Sequence, residues 1–291
     1  MHKDSIANTI IVAVGVCLVC SLLVSAAAVG LRERQTTNVE LDRKVNILRV
    51  AGFDQEAIDE AGGIPQLFEK VIRTKIVNLE TGKEDVEGLI EASNGRFNSP
   101  EQVKEKFDPI QISKDQAKGT EALYEVLSTS EDVAGIGARE NWAIIYTVVD
   151  DSNAIQKYVF PIRGRGLWST LKGFISLEKD LATVGSITYF EHGETPGLGG
   201  EVDNPRWKAK WHDKKVYGPN DNVQLTVVKG SGEGEHQIDG LAGATITSNG
   251  VSNMIHFWLG PMGYKPFIQN QNGETPTQEA TAETEHSVEG E

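Results

Sequence analysis

The sequence predicts an α+β domain with a largely antiparallel sheet and flanking helices, preceded by one N-terminal transmembrane helix. Strand-like runs concentrate in the middle of the 291-residue chain, whereas helical patterns lie mostly towards its two ends. Residues 9–31 contain no charged side chain. As a helix, this segment would measure roughly 34 Å, which is enough to cross a hydrocarbon core of about 30 Å.

The uncharged segment has two interpretations, a retained anchor and a cleaved signal peptide. Ala26-Ala27-Ala28 resembles a cleavage site, but the apolar run exceeds the roughly 7–15 residues of a signal-peptide core. We therefore expect a membrane anchor. Both cysteines, Cys17 and Cys20, lie inside it, where lipid disfavours a thiolate. We interpret them as small apolar residues of the membrane helix, not as a redox pair.

The charges beside the anchor bear on its orientation. Lys3 precedes the anchor, whereas more basic residues follow it, namely Arg32, Arg34, Arg43 and Lys44. A count of positive charges alone would keep the large domain in the cytoplasm. Long domains are translocated largely regardless of flanking charge, so this count does not decide the topology.

Helical patterns continue after the anchor. Leu41, Val45 and Leu48 repeat at helical spacing and predict a short amphipathic helix. Asp54 is a suitable N-cap for the next helix, and a further helix is predicted over residues 65–72, with proline in its first turn.

Strand patterns follow at six places. They are residues 75–79, 142–149, 158–162, 174–177, 184–190 and 223–228. The turn-rich cluster Asp150-Asp151-Ser152-Asn153 lies between the second and third of these strands and predicts a hairpin. Residues 82–119 are polar, and we assign them to helix and loop without firm bounds. No Gly-x-Gly-x-x-Gly fingerprint is present, so a Rossmann fold is not supported.

The best helical pattern outside the membrane segment lies near the C-terminus. Its apolar face consists of Val251, Met254, Ile255, Trp258 and Leu259. We expect this helix to begin just after residue 247, with Ser248 or Asn249 as its N-cap. Gly260-Pro261 provides the stop signal.

A loop of small and hydroxyl residues leads into this helix. The hydroxyls of Thr245 and Thr247 are expected at the helix N-terminus, where unpaired N–H groups and the helix dipole favour a phosphate. Gly240, Gly243 and Ala244 keep the loop slim. On composition alone, ordinary loop-and-cap chemistry explains the same residues.

The loop resembles a cofactor-attachment motif. The run Asp239-Gly240-Leu241-Ala242-Gly243-Ala244-Thr245 is similar to the Asp-x-x-(Ser/Thr)-Gly-Ala-Thr pattern of domains that carry FMN covalently, as a phosphoester on the final threonine. Ala242 stands where that pattern has Ser or Thr. The resemblance implies that Thr245 is the acceptor and that Asp239, Gly243 and Ala244 contribute to the cofactor site.

Two other glycine-rich segments, residues 164–170 and 192–201, resemble the loops that lie beside the flavin in such domains. Taken singly, each is also an ordinary turn between strands. The resemblance makes a set of their residues candidates for a flavin-facing wall, namely Leu167, Trp168, Ser169, Thr170, Glu194, Thr195, Gly197, Leu198 and Gly199.

Taken together, these features resemble the C-subunit family of sodium-translocating NADH:quinone reductases, from the membrane segment to about residue 267. The resemblance implies a subunit that passes electrons through FMN in a complex that oxidises NADH, reduces ubiquinone and exports sodium. It implies the bacterial inner membrane as location, a periplasmic domain, other subunits as partners, and a flavin transferase that acts during maturation. No site for NADH, quinone or sodium is visible in the sequence.

Two alternatives stay open at this point. One is the flavoprotein subunit of the related Rnf electron-transport complex, which shares the acceptor threonine and the Pro-Gly-Leu-Gly loop. The other is a membrane-tethered binding or sensor module without a redox role, which a purified protein without flavin absorbance would favour.

Charge and composition exclude other functions. The net charge of −14 argues against nucleic-acid binding. The histidines show no spacing typical of a metal site, and we expect no catalytic residue or metal ligand. The expected organisation is an N-terminal segment (1–8), a transmembrane helix (9–31), an extracytoplasmic FMN-binding domain (32–268) and a disordered acidic tail (269–291).

Overall fold

The computed structural model describes residues 6–273. The first five residues and most of the expected acidic tail lie outside the described residues. The helices are α1 (Ile6–Ala51), α2 (Gln55–Glu60), α3 (Ile64–Val71), α4 (Val86–Ala92), α5 (Pro100–Lys106), α6 (Pro109–Asp115), α7 (Pro205–Lys208), α8 (Thr245–Trp258) and α9 (Lys265–Gln271). The strands are β1 (Ile72–Asn78), β2 (Lys83–Glu84), β3 (Tyr124–Val126), β4 (Ala138–Glu140), β5 (Trp142–Val149), β6 (Ile155–Arg165), β7 (Thr170–Glu178), β8 (Val184–Glu191), β9 (Thr226–Val227) and β10 (Gln237–Ile238).

A six-stranded sheet in the order β2-β1-β5-β6-β7-β8 forms the centre of the domain. Every neighbouring pair in this sheet is antiparallel, which confirms the predicted fold class. The predicted hairpin between β5 and β6 is also confirmed. In the turn of this hairpin, the Asp150 N–H donates to the carbonyl of Ala154 at 3.0 Å.

Helix α1 differs from the expectation of a separate anchor and amphipathic helix. It runs unbroken from Ile6 to Ala51, because residues 32–40 contain no glycine or proline that would end it. By length and composition α1 can cross a membrane, and none of its most apolar window is buried in the molecule. Its last turns are different, because Ile47, Leu48 and Val50 are buried against the sheet.

Apolar helices cover both faces of the sheet. The end of α1, with α2 and α3, packs on one face against Tyr146, Val159 and Phe174. Helices α8 and α9 pack on the opposite face, where Phe160 and Ile162 are buried. Helices α4 to α6 occupy the predicted helix-and-loop region and enclose a smaller core.

Several element boundaries differ from the sequence prediction. Helix α3 ends one residue early, and Ile72 already opens β1. The strand expected at residues 223–228 shortens to β9, which pairs in parallel with β10. Residues 223–225 pair elsewhere, because the N–H groups of Gln224 and Leu225 both donate to the Val216 carbonyl, at 2.8 and 3.2 Å. Helix α9 extends past residue 269, where the acidic tail was expected to begin.

Candidate functional site

The three glycine-containing segments converge at the N-terminus of α8. Residues 166–169 connect β6 to β7, and residues 192–198 follow β8. Helix α8 crosses close to the first connection, because a Cβ built on Gly250 would lie 2.2 Å from the Arg165 carbonyl oxygen. A glycine at this helix position therefore allows α8 to approach the β6–β7 connection.

Helix α8 begins at Thr245, so the prediction that Ser248 or Asn249 would be its N-cap is wrong. Ala244 occupies the N-cap position and makes no side-chain cap. The Ser248 hydroxyl instead accepts the Leu241 N–H at 3.1 Å and holds the preceding loop against the first turn. Both predicted threonines consequently belong to the helix itself. The predicted apolar face is confirmed, because all five of its residues are buried.

The two threonine hydroxyls are in opposite environments. Thr247 is 1% exposed, and its hydroxyl donates to the Glu194 carboxylate at 2.7 Å. Thr245 is exposed, and within residues 6–273 its hydroxyl makes no hydrogen bond. Of these two hydroxyls, that of Thr245 is therefore the one accessible to a modifying group.

The Glu194 carboxylate joins all three segments. It accepts backbone N–H groups of Leu167, Trp168 and Ser169 at 3.2, 2.9 and 3.1 Å, in addition to the Thr247 hydroxyl. Burial raises the pKa of Glu194, but these hydrogen bonds outweigh burial and hold the pKa below its ordinary value. Glu194 was predicted to face the flavin, whereas its carboxylate is occupied in binding the β6–β7 connection to α8.

The other predicted wall residues support this arrangement in different ways. The Ser169 hydroxyl accepts the Gly193 N–H at 2.7 Å. Thr170 opens β7, and the Thr195 carbonyl accepts the N–H groups of Leu198 and Gly200 in a tight turn. Gly197 has φ +75°, which favours glycine.

Four large apolar side chains near Thr245 are exposed to solvent. They are Leu167, Trp168, Leu198 and Ile246, with exposed fractions between 40% and 67%. Leu198 reaches the loop that leads to Thr245, because a Cβ built on Gly243 would lie 3.0 Å from the Leu198 Cδ2. We call these four residues the apolar patch. Ile246 was not predicted, since the pattern of α8 places it away from the buried face.

A cleft of about 630 Å³ opens on another side of Thr245. Charged and apolar side chains both line it, and we call it the polar cleft for its charged groups. Asp239 lies in its wall, where its carboxylate accepts the Gly232 N–H at 2.9 Å and binds the ammonium group of Lys210. The hydrogen bonds from Lys210 and Gly232 lower the pKa of Asp239. The Asp239 carbonyl accepts the indole N–H of Trp207 at 2.8 Å. Asp239 therefore fixes the loop that leads to Thr245.

Three cationic side chains line this polar cleft, namely Arg206, Lys210 and Lys229. Arg206 and Lys229 are exposed, and among the described residues neither side chain has a hydrogen-bond or ion-pair partner. The sequence did not predict these residues, because they come from two segments that no motif connects. Glu201 and Asp239 also line the cleft, and Asp239 pairs with Lys210. Arg206 and Lys229 are therefore the cations left to bind a phosphate group beside the exposed Thr245 hydroxyl.

His192 and His256 contact other groups of the domain. The Nε2 of His192 lies 2.7 Å from the Asp203 carboxylate, and the Nε2 of His256 lies 3.1 Å from the Leu225 carbonyl. In the part of the chain from residue 6 to residue 273, no group of three or more His, Cys, Asp or Glu residues is arranged to hold a metal ion.

Comparison with known proteins assigns the chain that forms this site to a family. Residues 166–260, which include all the candidate wall residues and Thr245, match the FMN-binding domain family. The C subunit of the Na(+)-translocating NADH-quinone reductase of Vibrio alginolyticus is 41% identical over 269 residues, which cover 92% of this chain and 95% of the relative. The chain belongs to this C-subunit family.

Further relatives agree with this family. The C subunit of Pseudomonas aeruginosa is 39% identical over 274 residues, covering 92% of this chain and 97% of that protein. The solved structure of the Shewanella oneidensis protein, NqrC, matches with a TM-score of 0.66 and 29% identity, covering 81% of this chain and 97% of that chain. The Parabacteroides distasonis protein of the same family, at 24% identity and a TM-score of 0.56, shares the fold, with 82% of this chain and 96% of that chain covered. The predicted family is confirmed, and it takes precedence over the Rnf alternative.

Proposed function

We propose that this chain is the FMN-carrying subunit of a Na(+)-translocating NADH-quinone reductase, with FMN held as a phosphoester on Thr245. The observation that carries the proposal is the contrast between the two threonines in the first turn of α8. The Thr245 hydroxyl is exposed beside the polar cleft, whereas the Thr247 hydroxyl is bound to Glu194.

The surroundings of Thr245 fit FMN in size and chemistry. The helix N-terminus, Arg206 and Lys229 suit a phosphate group. The apolar patch offers flat and aliphatic contacts for a flavin ring. Gly243, at φ +71°, lets the loop turn sharply just before the acceptor. These features favour a flavoprotein over a tethered binding module without a redox role.

The chemistry that bound FMN supplies is electron transfer, and the residues of this chain position it. Thr245 provides the ester oxygen. Glu194 keeps the β6–β7 connection, which carries Leu167 and Trp168, beside the first turn of α8. Asp239 holds the acceptor loop through Trp207 and Lys210.

We also propose that α1 anchors the domain in the bacterial inner membrane and that the domain of residues 32–268 lies in the periplasm. The exposed apolar part of α1 supports anchoring. A reporter active only in the periplasm and fused after Gly273, beyond the last helix, is expected to be active. Activity of a cytoplasm-only reporter at the same junction would instead place the domain inside the cell and support the charge count.

Replacement of Thr245 by valine tests the attachment site. Thr245→Val keeps the branched shape and removes only the hydroxyl, so we expect complete loss of covalent flavin. Flavin fluorescence of the denatured protein in a gel, and the mass of the peptide that contains residue 245, provide the measurement. The matched control, Thr247→Val, is expected to keep the flavin. Fluorescence retained in Thr245→Val would disprove the assignment.

A further inference from the structure

A second cleft, of about 920 Å³, lies along the outer edge of the six-stranded sheet, at β8. Residues 185–190 of β8 line the cleft. Asp42, Asn46 and Arg49 of α1 line one side, and Asp203 and Lys208 line the other. We call this the β8 cleft. Thr245 and the apolar patch do not line it.

The outer edge of β8 is open along most of its length. Val184 is paired there, because its N–H donates to the Lys214 carbonyl at 2.8 Å and its carbonyl accepts the Asp213 N–H at 3.0 Å. For residues 185–191, no backbone segment within the described range 6–273 pairs on that side. Unpaired N–H and C=O groups of an edge strand bind the backbone of another extended segment.

We propose that the β8 cleft receives an extended segment of a membrane-embedded partner subunit, which pairs with β8 as a seventh strand. This inference uses the proposed function only for the existence of a multisubunit complex. Six residues in the extended conformation cover about 20 Å, which is the length of edge that residues 185–190 present. The partner segment satisfies the open backbone groups.

The side chains of the β8 cleft suit a polar strand of mixed charge. Its walls contain acidic and basic groups in similar number, with Asp42 and Arg49 on α1 and Asp203 and Lys208 opposite.

The position of the cleft favours a membrane-embedded partner. Asp42 follows Leu31, the end of the uncharged segment, by 11 residues on the same helix, which is about 17 Å along its axis. A loop that leaves the membrane beside α1 can therefore reach the β8 cleft.

The ends of this chain are less suitable occupants. Residues 1–5 precede α1 at its far end, roughly 54 Å from Asp42, and five residues span at most about 18 Å. The C-terminal helix α9 ends towards the opposite edge of the sheet, where the Asn270 side chain donates to the Thr81 carbonyl at 2.8 Å. The residues that follow α9 are acidic and contain no lysine or arginine to pair with Asp42 or Asp203.

Hydrogen exchange measured by mass spectrometry tests the proposal. The full-length chain in detergent is compared with the purified assembled complex. We expect backbone amides of residues 185–190 to exchange at least ten-fold more slowly in the complex. Lys83 and Glu84, in β2 at the opposite edge, serve as the internal control and should not change. Equal exchange of residues 185–190 in both samples would overturn the proposal.

Two further measurements identify the occupant. A photoreactive benzoyl-phenylalanine at Phe190, which lines the cleft, should crosslink to another subunit of the purified complex, whereas the same group at Tyr124 in β3 should not. Absence of such a crosslink from position 190 would contradict the proposal. Protection of residues 185–190 in the isolated chain would also contradict the proposal in two cases. If deletion of residues 274–291 removes the protection, the C-terminal residues are the occupant. If the protection rises with protein concentration, a second copy of the chain is the occupant.

Discussion

The two sides of Thr245 differ in chemistry and in how the fold supports them. On one side, the apolar patch exposes an indole and three aliphatic side chains, held beside α8 by the buried Glu194 carboxylate. On the other side, the polar cleft carries Arg206, Lys210 and Lys229. Its wall is held by hydrogen bonds of Asp239, of which the one to Lys210 is exposed and those to Trp207 and Gly232 are half-buried. A flavin nucleotide has an apolar ring and a charged phosphate, so one ligand can use both sides.

The comparison also concerns energy. A buried carboxylate with five donors is expensive to disturb, because each donor left without an acceptor loses its hydrogen bond inside the protein. Exposed cations in a wide cleft contribute little to stability. We therefore expect mutations on the Glu194 side to have the larger effects.

Removal of the Glu194 carboxylate should have the largest effect. Glu194→Ala leaves three backbone N–H groups and the hydroxyls of Ser169 and Thr247 without their acceptor. We expect the free energy of unfolding to fall by roughly 3 kcal/mol. Urea denaturation of the full-length chain in detergent provides the measurement. Gly199→Ala should cause part of the same loss, since its Cβ would lie 2.6 Å from the Glu194 carboxylate. A wild-type unfolding curve for Glu194→Ala would show that the carboxylate does not hold the segments together.

Glu194→Gln is the matched control, because it keeps the shape of the side chain and removes its charge. The pH dependence of stability then shows how much of the effect comes from the charge. The pKa of Glu194 is lowered in the folded protein. Its ionised form therefore stabilises the fold above the unfolded carboxyl pKa of about 4.3, and this contribution disappears as the pH falls through the lower folded pKa. We expect the stability difference between wild type and Glu194→Gln to be full at pH 7 and to shrink below pH 4. A difference that stays constant down to pH 3 would contradict the role of the charge.

Truncation of the apolar patch should have an intermediate effect, confined to the cofactor. Trp168→Ala removes the most exposed side chain of the patch and little buried contact, so fold and covalent flavin should remain. The reduction potential and fluorescence of the attached flavin should change, because an aromatic contact is lost. Val126→Ala, at an exposed valine in β3, is the control and should change neither. Unchanged potential, fluorescence and quinone-reductase turnover in Trp168→Ala would remove Trp168 from the site.

Removal of two positive charges from the polar cleft should have the smallest effect. The double variant Arg206→Gln, Lys229→Gln should fold normally and attach flavin two- to three-fold more slowly, because two exposed charges that attract a phosphate are lost. The time course of flavin fluorescence in the gel, at low and high salt, measures the effect. The difference from wild type should decrease at high salt. Lys179→Gln, in the exposed region after β7, should match wild type; an equal loss there would indicate net charge as the cause.

The family could be predicted from the sequence because its motifs depend on local order, and the same local motif makes Thr245 the predicted acceptor. The run from Asp239 to Thr245 is contiguous, and the uncharged segment and the alternating strands are local patterns. The start of α8 was misplaced for a physical reason. Ser248 has the chemistry of an N-cap, but its hydroxyl is used by Leu241, seven residues earlier in the chain.

Only the tertiary structure shows which hydrogen bonds join segments that lie far apart in the chain. Nothing in the sequence indicates that Glu194 binds both the β6–β7 connection and Thr247, since these groups are 25 to 53 residues away from it. The same applies to Arg206 and Lys229, which meet beside Thr245 only after α7 and the β9 region fold against α8. Local sequence determines helices, strands and the acceptor motif, because those follow from neighbouring residues. Which hydroxyl stays free depends on hydrogen bonds made across the folded chain.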